Sequence, residues 1–332
     1  MVRPNRVGVV GATGALGAEL VSVLDRVAWR PGQLVPLGRA STTRTHVEWG
    51  GERVAVELAD VDDVDDLDLL FLAAPAEVSL PLARAAIDAG VAVVDCSGEV
   101  ARAGLGPLVV PWVNPEQLQE MDAVALPGAA AMFIASIIGP LARAGVIGRV
   151  TATVLEPAST AGRDGIAELS GQVVALLNSQ TPRRRVFPEG LAFDLVPAEG
   201  TIRADGWTDM EARASDEVRS LVPGAHRPDV TLVRVPVFSG VGGTIVITTD
   251  QQLLPELVTR ILADGGVKLP EHGALRSIPR PRRVDGKPFA HVGRLRLAEA
   301  SRSLHLWASM DNLRTGATAA VAAGGALLQQ RG

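Results

Sequence analysis

The sequence predicts an α/β protein in which a doubly wound parallel sheet is followed by an α+β domain with a mixed sheet. Three observations predict it. Apolar strands alternate with helical segments toward the N-terminus, and several are apolar throughout, as parallel strands covered on both faces must be. A glycine turn joins the first strand directly to the first helix. From about residue 127 the texture changes to alternating and β-branched strands with helices between them.

The first strand is the run Arg6-Val7-Gly8-Val9-Val10. It leads into Gly11-Ala12-Thr13-Gly14-Ala15-Leu16-Gly17 and then a helix over Ala18–Leu24. Strand, glycine turn and helix are the context of a dinucleotide fingerprint, because glycines let the amides at a helix N-terminus approach a pyrophosphate. This makes the domain Rossmann-like and assigns cofactor contacts to Gly11, Thr13, Gly14, Ala15, Leu16 and Gly17. The plain alternative is a tight strand–helix turn. The second strand, Gln33–Leu37, ends in Gly38-Arg39-Ala40-Ser41 with no acidic residue to hold a ribose 2′-hydroxyl. Arginine there suits a 2′-phosphate, which favours NADP and places Arg39 and Ser41 at the cofactor. A solvated loop arginine is the alternative. Leu67–Ala74 reads as a buried strand whose end adds Ala73 to the cofactor set. Leu80–Ala89 reads as a helix and Val91–Asp95 as the next strand.

In the second domain, Met132–Ala144 and Gly165–Asn178 read as helices and Arg149–Leu155 as a strand. Val230–Phe238, Thr244–Thr248, Arg294–Leu297 and Leu304–Ala308 read as further strands of a mixed sheet. An alanine-rich helix over Thr315–Gln330 closes the chain. Ser179–Arg185 reads as an exposed loop, and its Arg183-Arg184-Arg185 run is either a solvated face or a contact for a partner or an anion.

Composition bounds the function. The 332 residues suffice for two domains, with 47% hydrophobic and 21% charged residues. A net charge of −5 argues against nucleic acid or an anionic membrane as partner. No apolar run is long enough to span a bilayer. The single cysteine, Cys96, excludes an internal disulfide framework and fits a reducing compartment, so the cytoplasm is expected. The five histidines are scattered without metal-ligand spacing, and no metal is expected.

Several blocks, taken in order, resemble the aspartate-semialdehyde dehydrogenase family nearly end to end. They are Gly11–Gly17, Pro107–Glu116, Ser159-Thr160-Ala161-Gly162, Arg234-Val235-Pro236-Val237-Phe238, Val292-Gly293-Arg294 and Asp311–Ala317. The resemblance implies reduction of β-aspartyl phosphate to its semialdehyde with NADPH. It also implies a nucleotide-binding domain of residues 1–126 and 312–332, with Asn312 at the cofactor. Residues 127–311 would form the central substrate and dimerisation domain, making the protein a homodimer.

The family chemistry requires a cysteine thiolate at the start of a helix and a histidine base. In this alignment the cysteine falls on Ala129 and the histidine on Val241. The family's phosphate-gripping arginine falls on Ala101, next to Arg102. A substrate-contacting glutamine becomes Glu156, which would repel an anion, and a lysine aligns with Arg213; Arg234 is retained. No catalytic residue is therefore assigned, and Arg102, Glu156, Arg213 and Arg234 are substrate-like positions only. The chain is similar to the Usg-like branch, which also lacks the cysteine, in Asp95-Cys96-Ser97-Gly98, in Gly171-Gln172 with Ala175–Asn178, and in Leu191–Pro197. It departs from that branch at Val241. Cys96 itself reads as a small semi-buried thiol, with a replacement nucleophile as the alternative. Two functions follow. One is a non-catalytic family member that binds a dinucleotide or a partner, an active paralogue included. The other is an NADP-dependent oxidoreductase acting on an aldehyde or acyl phosphate by a changed mechanism.

Overall fold

The first strand, β1 (Arg6–Val10), hydrogen-bonds in parallel to β2 (Gln33–Gly38) on one side, Val7 opposite Leu34. On the other side it pairs with the strand Leu69–Leu72, Val7 opposite Leu69. The helix α1 (Ala15–Leu24) follows β1. A hairpin of β3 (His46–Trp49) and β4 (Glu52–Ala55) leads to β5 (Glu57–Leu58) and then β6, the strand Leu69–Leu72. The helix α2 (Ala76–Asp88), β7 (Ala92–Asp95), the short α3 (Glu99–Arg102) and β8 (Ala123–Ala125) follow. All pairs in the six-stranded sheet are parallel, in the order β5-β2-β1-β6-β7-β8. The order therefore reverses at β1, and doubly wound sheets bind ligands beyond the carboxyl ends of the strands at such a point.

This computed structural model describes residues 4–39, 45–249, 252–270, 277–297 and 302–331. It separates into two compact units, Met1–Gly128 with Gly316–Gly332, and Ala129–Thr315.

The second unit opens on α4 (Ala129–Arg143), buried at every position from Ala130 to Leu141. A helix apolar all round must lie inside a unit, and α4 packs against β9 (Val150–Glu156), α5 (Gly162–Leu177) following later in the chain. Next come α6 (Asp209–Leu221), β10 (Asp229–Arg234), β11 (Val241–Thr248), α7 (Pro255–Asp264), the short α8 (Pro281–Val284), β12 (His291–Leu297), β13 (Ser303–Met310) and α9 (Asn312–Gln330). Their sheet, ordered β10-β9-β11-β13-β12, is mixed: β9 and β10 run parallel and the other pairs antiparallel. The helix α6 starts on a reciprocal cap, Thr208 Oγ1 accepting from Glu211 N while Glu211 Oε2 accepts from Thr208 N.

Three sequence-based spans are corrected. The strand expected to reach Phe238 stops at Arg234, because Pro236 has no N–H for the ladder. The strand expected over Leu67–Ala74 is confined to Leu69–Leu72, since Leu67 N closes a turn on Val64 O and Pro75 caps α2. The last helix begins at Asn312, not Thr315, with Asp311 Oδ1 taking the N–H groups of Leu313 and Arg314 as its cap. Within the first unit, α9 carries two adjacent glycines where side chains would collide. A Cβ at Gly324 would lie 2.8 Å from Leu69 and Phe71 atoms, and one at Gly325 2.6 Å from Trp29 Nε1.

Candidate functional site

In the first unit, Gly11 adopts φ +76°, and a Cβ there would lie 2.4 Å from Ala73 O. Only glycine fits, and the contact brings the turn against the end of β6. A Cβ at Gly17 would lie 2.1 Å from Gly11 O, so the third glycine lets the helix press on the turn. Gly14 is the N-cap of α1 and offers no side chain to it. Ala18 N is bonded to Gly14 O, which leaves the amides of Ala15, Leu16 and Gly17 ahead of the first closed helical ring. That set of donors at a positive helix end is a cradle for an anion. Arg39 is exposed directly beyond β2. Ser41 lies outside the described residues. Asn312 belongs to the second unit, and its amide donates to Ser159 Oγ at 3.1 Å and accepts from Gly240 N at 2.9 Å.

The turn after β7 is built by Asp95, whose carboxylate accepts from Ser97 N, Ser97 Oγ and Val100 N at 2.7–2.9 Å. Burial pushes the neighbouring Cys96 thiol far above its ordinary value, and Asp95 adds to the shift. A half-buried thiol raised in this way is a poorer nucleophile at neutral pH than an ordinary one. Arg102, on α3, is ion-paired with Glu99 one turn earlier.

In the second unit, one end of the mixed sheet gathers three of the sequence-derived positions. Glu156 ends β9, Arg234 ends β10 directly opposite it, and Val241 begins β11 next in line. Arg234 is 3% exposed, and both of its terminal nitrogens are engaged. Its Nη1 donates to Pro157 O at 2.6 Å and to Thr160 Oγ1, and its Nη2 donates to Glu199 Oε1 and lies 3.6 Å from Glu156 Oε2. Burial raises the Glu156 carboxyl above its ordinary value, with Arg234 pulling the other way. Val241 is wholly buried, and its carbonyl accepts from Ser309 Oγ at 2.9 Å. Ala129 is the first residue of α4, and Arg213 on α6 bonds Glu217 at 2.7 Å. Sequence reasoning missed Glu199, which reaches Arg234 from 35 residues away along an irregular segment. No periodicity or motif marks such a residue.

Two of the Usg-like blocks meet directly, since Gln172 Oε1 accepts from Leu191 N and Ala192 N at 2.8 and 3.1 Å. Glu168 likewise takes the N–H groups of Arg185, Val186 and Phe187. The basic run is thus held by its backbone. Among the described residues, no cluster of three His, Cys, Asp or Glu could hold a metal ion, and no helix is long and apolar enough to cross a membrane.

Known proteins resolve the class. Residues 6–121 match the NAD binding domain of semialdehyde dehydrogenase and residues 138–315 match its dimerisation domain. The chain belongs to the semialdehyde dehydrogenase family. It is 31% identical to a USG-1 protein homolog of Pseudomonas aeruginosa, across 96% of this chain and 95% of that one. It is 28% identical to the aspartate-semialdehyde dehydrogenase of Rickettsia bellii, across 96% and 95%. Its structure resembles that of aspartate semialdehyde dehydrogenase II from Vibrio cholerae, with a TM-score of 0.91, 29% identity and 99% of each chain covered.

Proposed function

We propose that this protein is a dinucleotide-binding, dimeric, cytoplasmic member of the family that does not carry out thiol-dependent acyl-phosphate chemistry. The observation that carries this reading is the pairing of two losses. A methyl group at Ala129 opens the helix where the family nucleophile aligns, and a wholly buried valine at Val241 stands where its base aligns. A methyl group cannot attack an acyl phosphate, and a valine cannot take a proton. The surroundings agree with the losses. Cys96 is held as a thiol, and Arg234 already faces two carboxylates of its own chain.

Retention of the cofactor is supported by the glycine turn, where Gly11 and Gly17 have no room for a side chain and the α1 amides lack a side-chain cap. The amides of Ala15, Leu16 and Gly17 would hold the pyrophosphate and Arg39 the 2′-phosphate; bound NADP would supply a hydride acceptor. A homodimer is supported by the match to a dimerisation domain and by apolar side chains left exposed in the second unit, among them Leu177 at 73% and Phe193 at 68%. Association with an active paralogue is the further possibility that copurification tests. Fluorescence titration with NADPH and NADH tests the cofactor reading. NADPH should bind more tightly, and Arg39→Ala should weaken NADPH alone by about 1.5–3 kcal/mol, the usual size of a charge-assisted contact. Equal affinities in the parent protein would refute the role of Arg39.

A further inference from the structure

Arg234 meets an unusual surplus of negative charge. One guanidinium faces Glu156 and Glu199, of which only Glu156 comes from the neighbouring strand. Glu199 comes from an irregular strap that is pinned on both sides of it. Before it, Val196 N donates to Arg234 O at 2.9 Å and Arg234 N to Val196 O at 2.8 Å, so the strap is tied to the backbone of the very residue it neutralises. After it, Gly200 turns at φ +84°, where a Cβ would lie 1.9 Å from Asp209 Oδ1. Thr201 N then donates to Asp209 Oδ1 at 2.9 Å and Asp209 N to Thr201 O at 3.0 Å. Between these anchors Glu199 has little freedom except to present its carboxylate to Arg234. Its second oxygen, Oε2, is buried and has no hydrogen-bond partner among the described residues. A carboxylate with one oxygen unsatisfied is held there by the guanidinium rather than by a network of its own.

We propose that Glu199 is an internal ligand of Arg234, a specificity-determining residue that occupies the position an external carboxylate or phosphate oxygen would take. This rests on the reading of Arg234 as the anion-binding group of the site. With Glu199 in place, an incoming anion meets a guanidinium whose two terminal nitrogens are already engaged and two like charges, so the site excludes anions as long as the strap stays docked. The residue that closes the site to an anionic substrate is thus part of this chain's own sequence, separate from the positions of Ala129 and Val241.

The test is a gain of binding. Acetate is the Glu199 side chain from Cγ outward, and succinate and inorganic phosphate are larger anions. Each is titrated, at constant ionic strength, into the full-length wild type, Glu199→Ala and the double variant Glu199→Ala/Arg234→Met, with calorimetry and thermal unfolding as readouts. Glu199→Ala should bind acetate and at least one larger anion roughly tenfold or more tightly than wild type, the equivalent of one charge-assisted contact. The double variant should lose that gain. Binding no tighter than wild type, or a gain that survives in the double variant, overturns the proposal. A gain for acetate alone overturns it too, since a sealed cavity would admit only the missing fragment. Should Glu199→Ala fail to fold, Glu199→Ser vacates the same position with a small polar side chain. Phosphate should then raise its melting temperature while leaving wild type unmoved, and an unmoved variant counts against the proposal. No turnover is measured, so catalytic activity in the wild type would refute the inactive reading without touching this result.

Discussion

Replacing Arg234 by methionine removes the guanidinium and keeps most of the stem volume. The cost can be worked from its partners. Glu156, 5% exposed, is left as a buried carboxylate without its counter-charge, and breaking a buried pair in this way typically costs about 3–5 kcal/mol. Glu199 adds less, because its side chain is 28% exposed and partly solvated where it stands. Thr160 retains its bond to Pro157 O at 2.9 Å, so that hydroxyl is not orphaned. The expected loss is therefore at the low end, about 3 kcal/mol, or roughly 6–12 °C in the melting temperature of a unit this size. The pH dependence has a definite sign. Burial already raises the Glu156 carboxyl, and removing Arg234 raises it further. A carboxyl raised in the folded state binds its proton more readily there than in the unfolded chain, so the deficit is largest near neutral pH. It shrinks as pH falls through the folded value toward the ordinary 4.5. Urea unfolding of wild type and Arg234→Met from pH 5 to 8, followed by tryptophan fluorescence, reads both quantities. A loss under about 1 kcal/mol at pH 7, or one that does not change with pH, would refute the buried-pair argument.

Gly17→Ala should abolish NADPH binding and cost about 1–3 kcal/mol, because its Cβ meets the Gly11 carbonyl at 2.1 Å, whereas Gly171→Ala, with open space around it on α5, should stabilise by about 0.5–1 kcal/mol; thermal unfolding separates them. His291 is held below the ordinary imidazole value of 6.5 by burial, with Lys287 and Lys268 adding. Its contribution to stability is present above pH 6.5 and lost as pH falls through its folded value, so His291→Asn should flatten the stability profile below pH 6.5. Cys96 should react with iodoacetamide far more slowly than a free thiol at pH 8 in native protein and normally after unfolding, which mass spectrometry follows.

The parallel sheet was readable because burial on both faces forces continuous apolar runs, and the glycine turn because steric exclusion at Gly11 and Gly17 leaves one residue type. The hairpin at His46–Ala55 was not readable, its strands being short and mostly exposed. The paired glycines of α9 carried no local signal either, since their reason is the position of Phe71 and Trp29 on the other elements. At the site, Glu156, Arg234 and Val241 could be picked out by alignment, but their convergence on one sheet end depends on strand order. That Glu156 stands as a buried partner of Arg234 was not legible in the sequence either, since it depends on which strand lies beside β9. Glu199 was invisible because its role comes from the Val196–Arg234 bridge and the turn at Gly200, neither of which has a sequence period.

The central claim is that the thiol-dependent reaction is absent, and phosphate-dependent oxidation of aspartate semialdehyde by purified protein with NADP measures it most directly. No turnover above the uncatalysed rate is expected. Ala129→Cys alone should stay nearly inactive, since restoring one member of a catalytic unit recovers little. The pair Ala129→Cys/Val241→His should recover weak turnover at most, because an imidazole at a wholly buried position is desolvated and a poor proton acceptor. Turnover in the unmutated protein on the order of 1–10³ s⁻¹, the range of ordinary enzymes, would contradict the account.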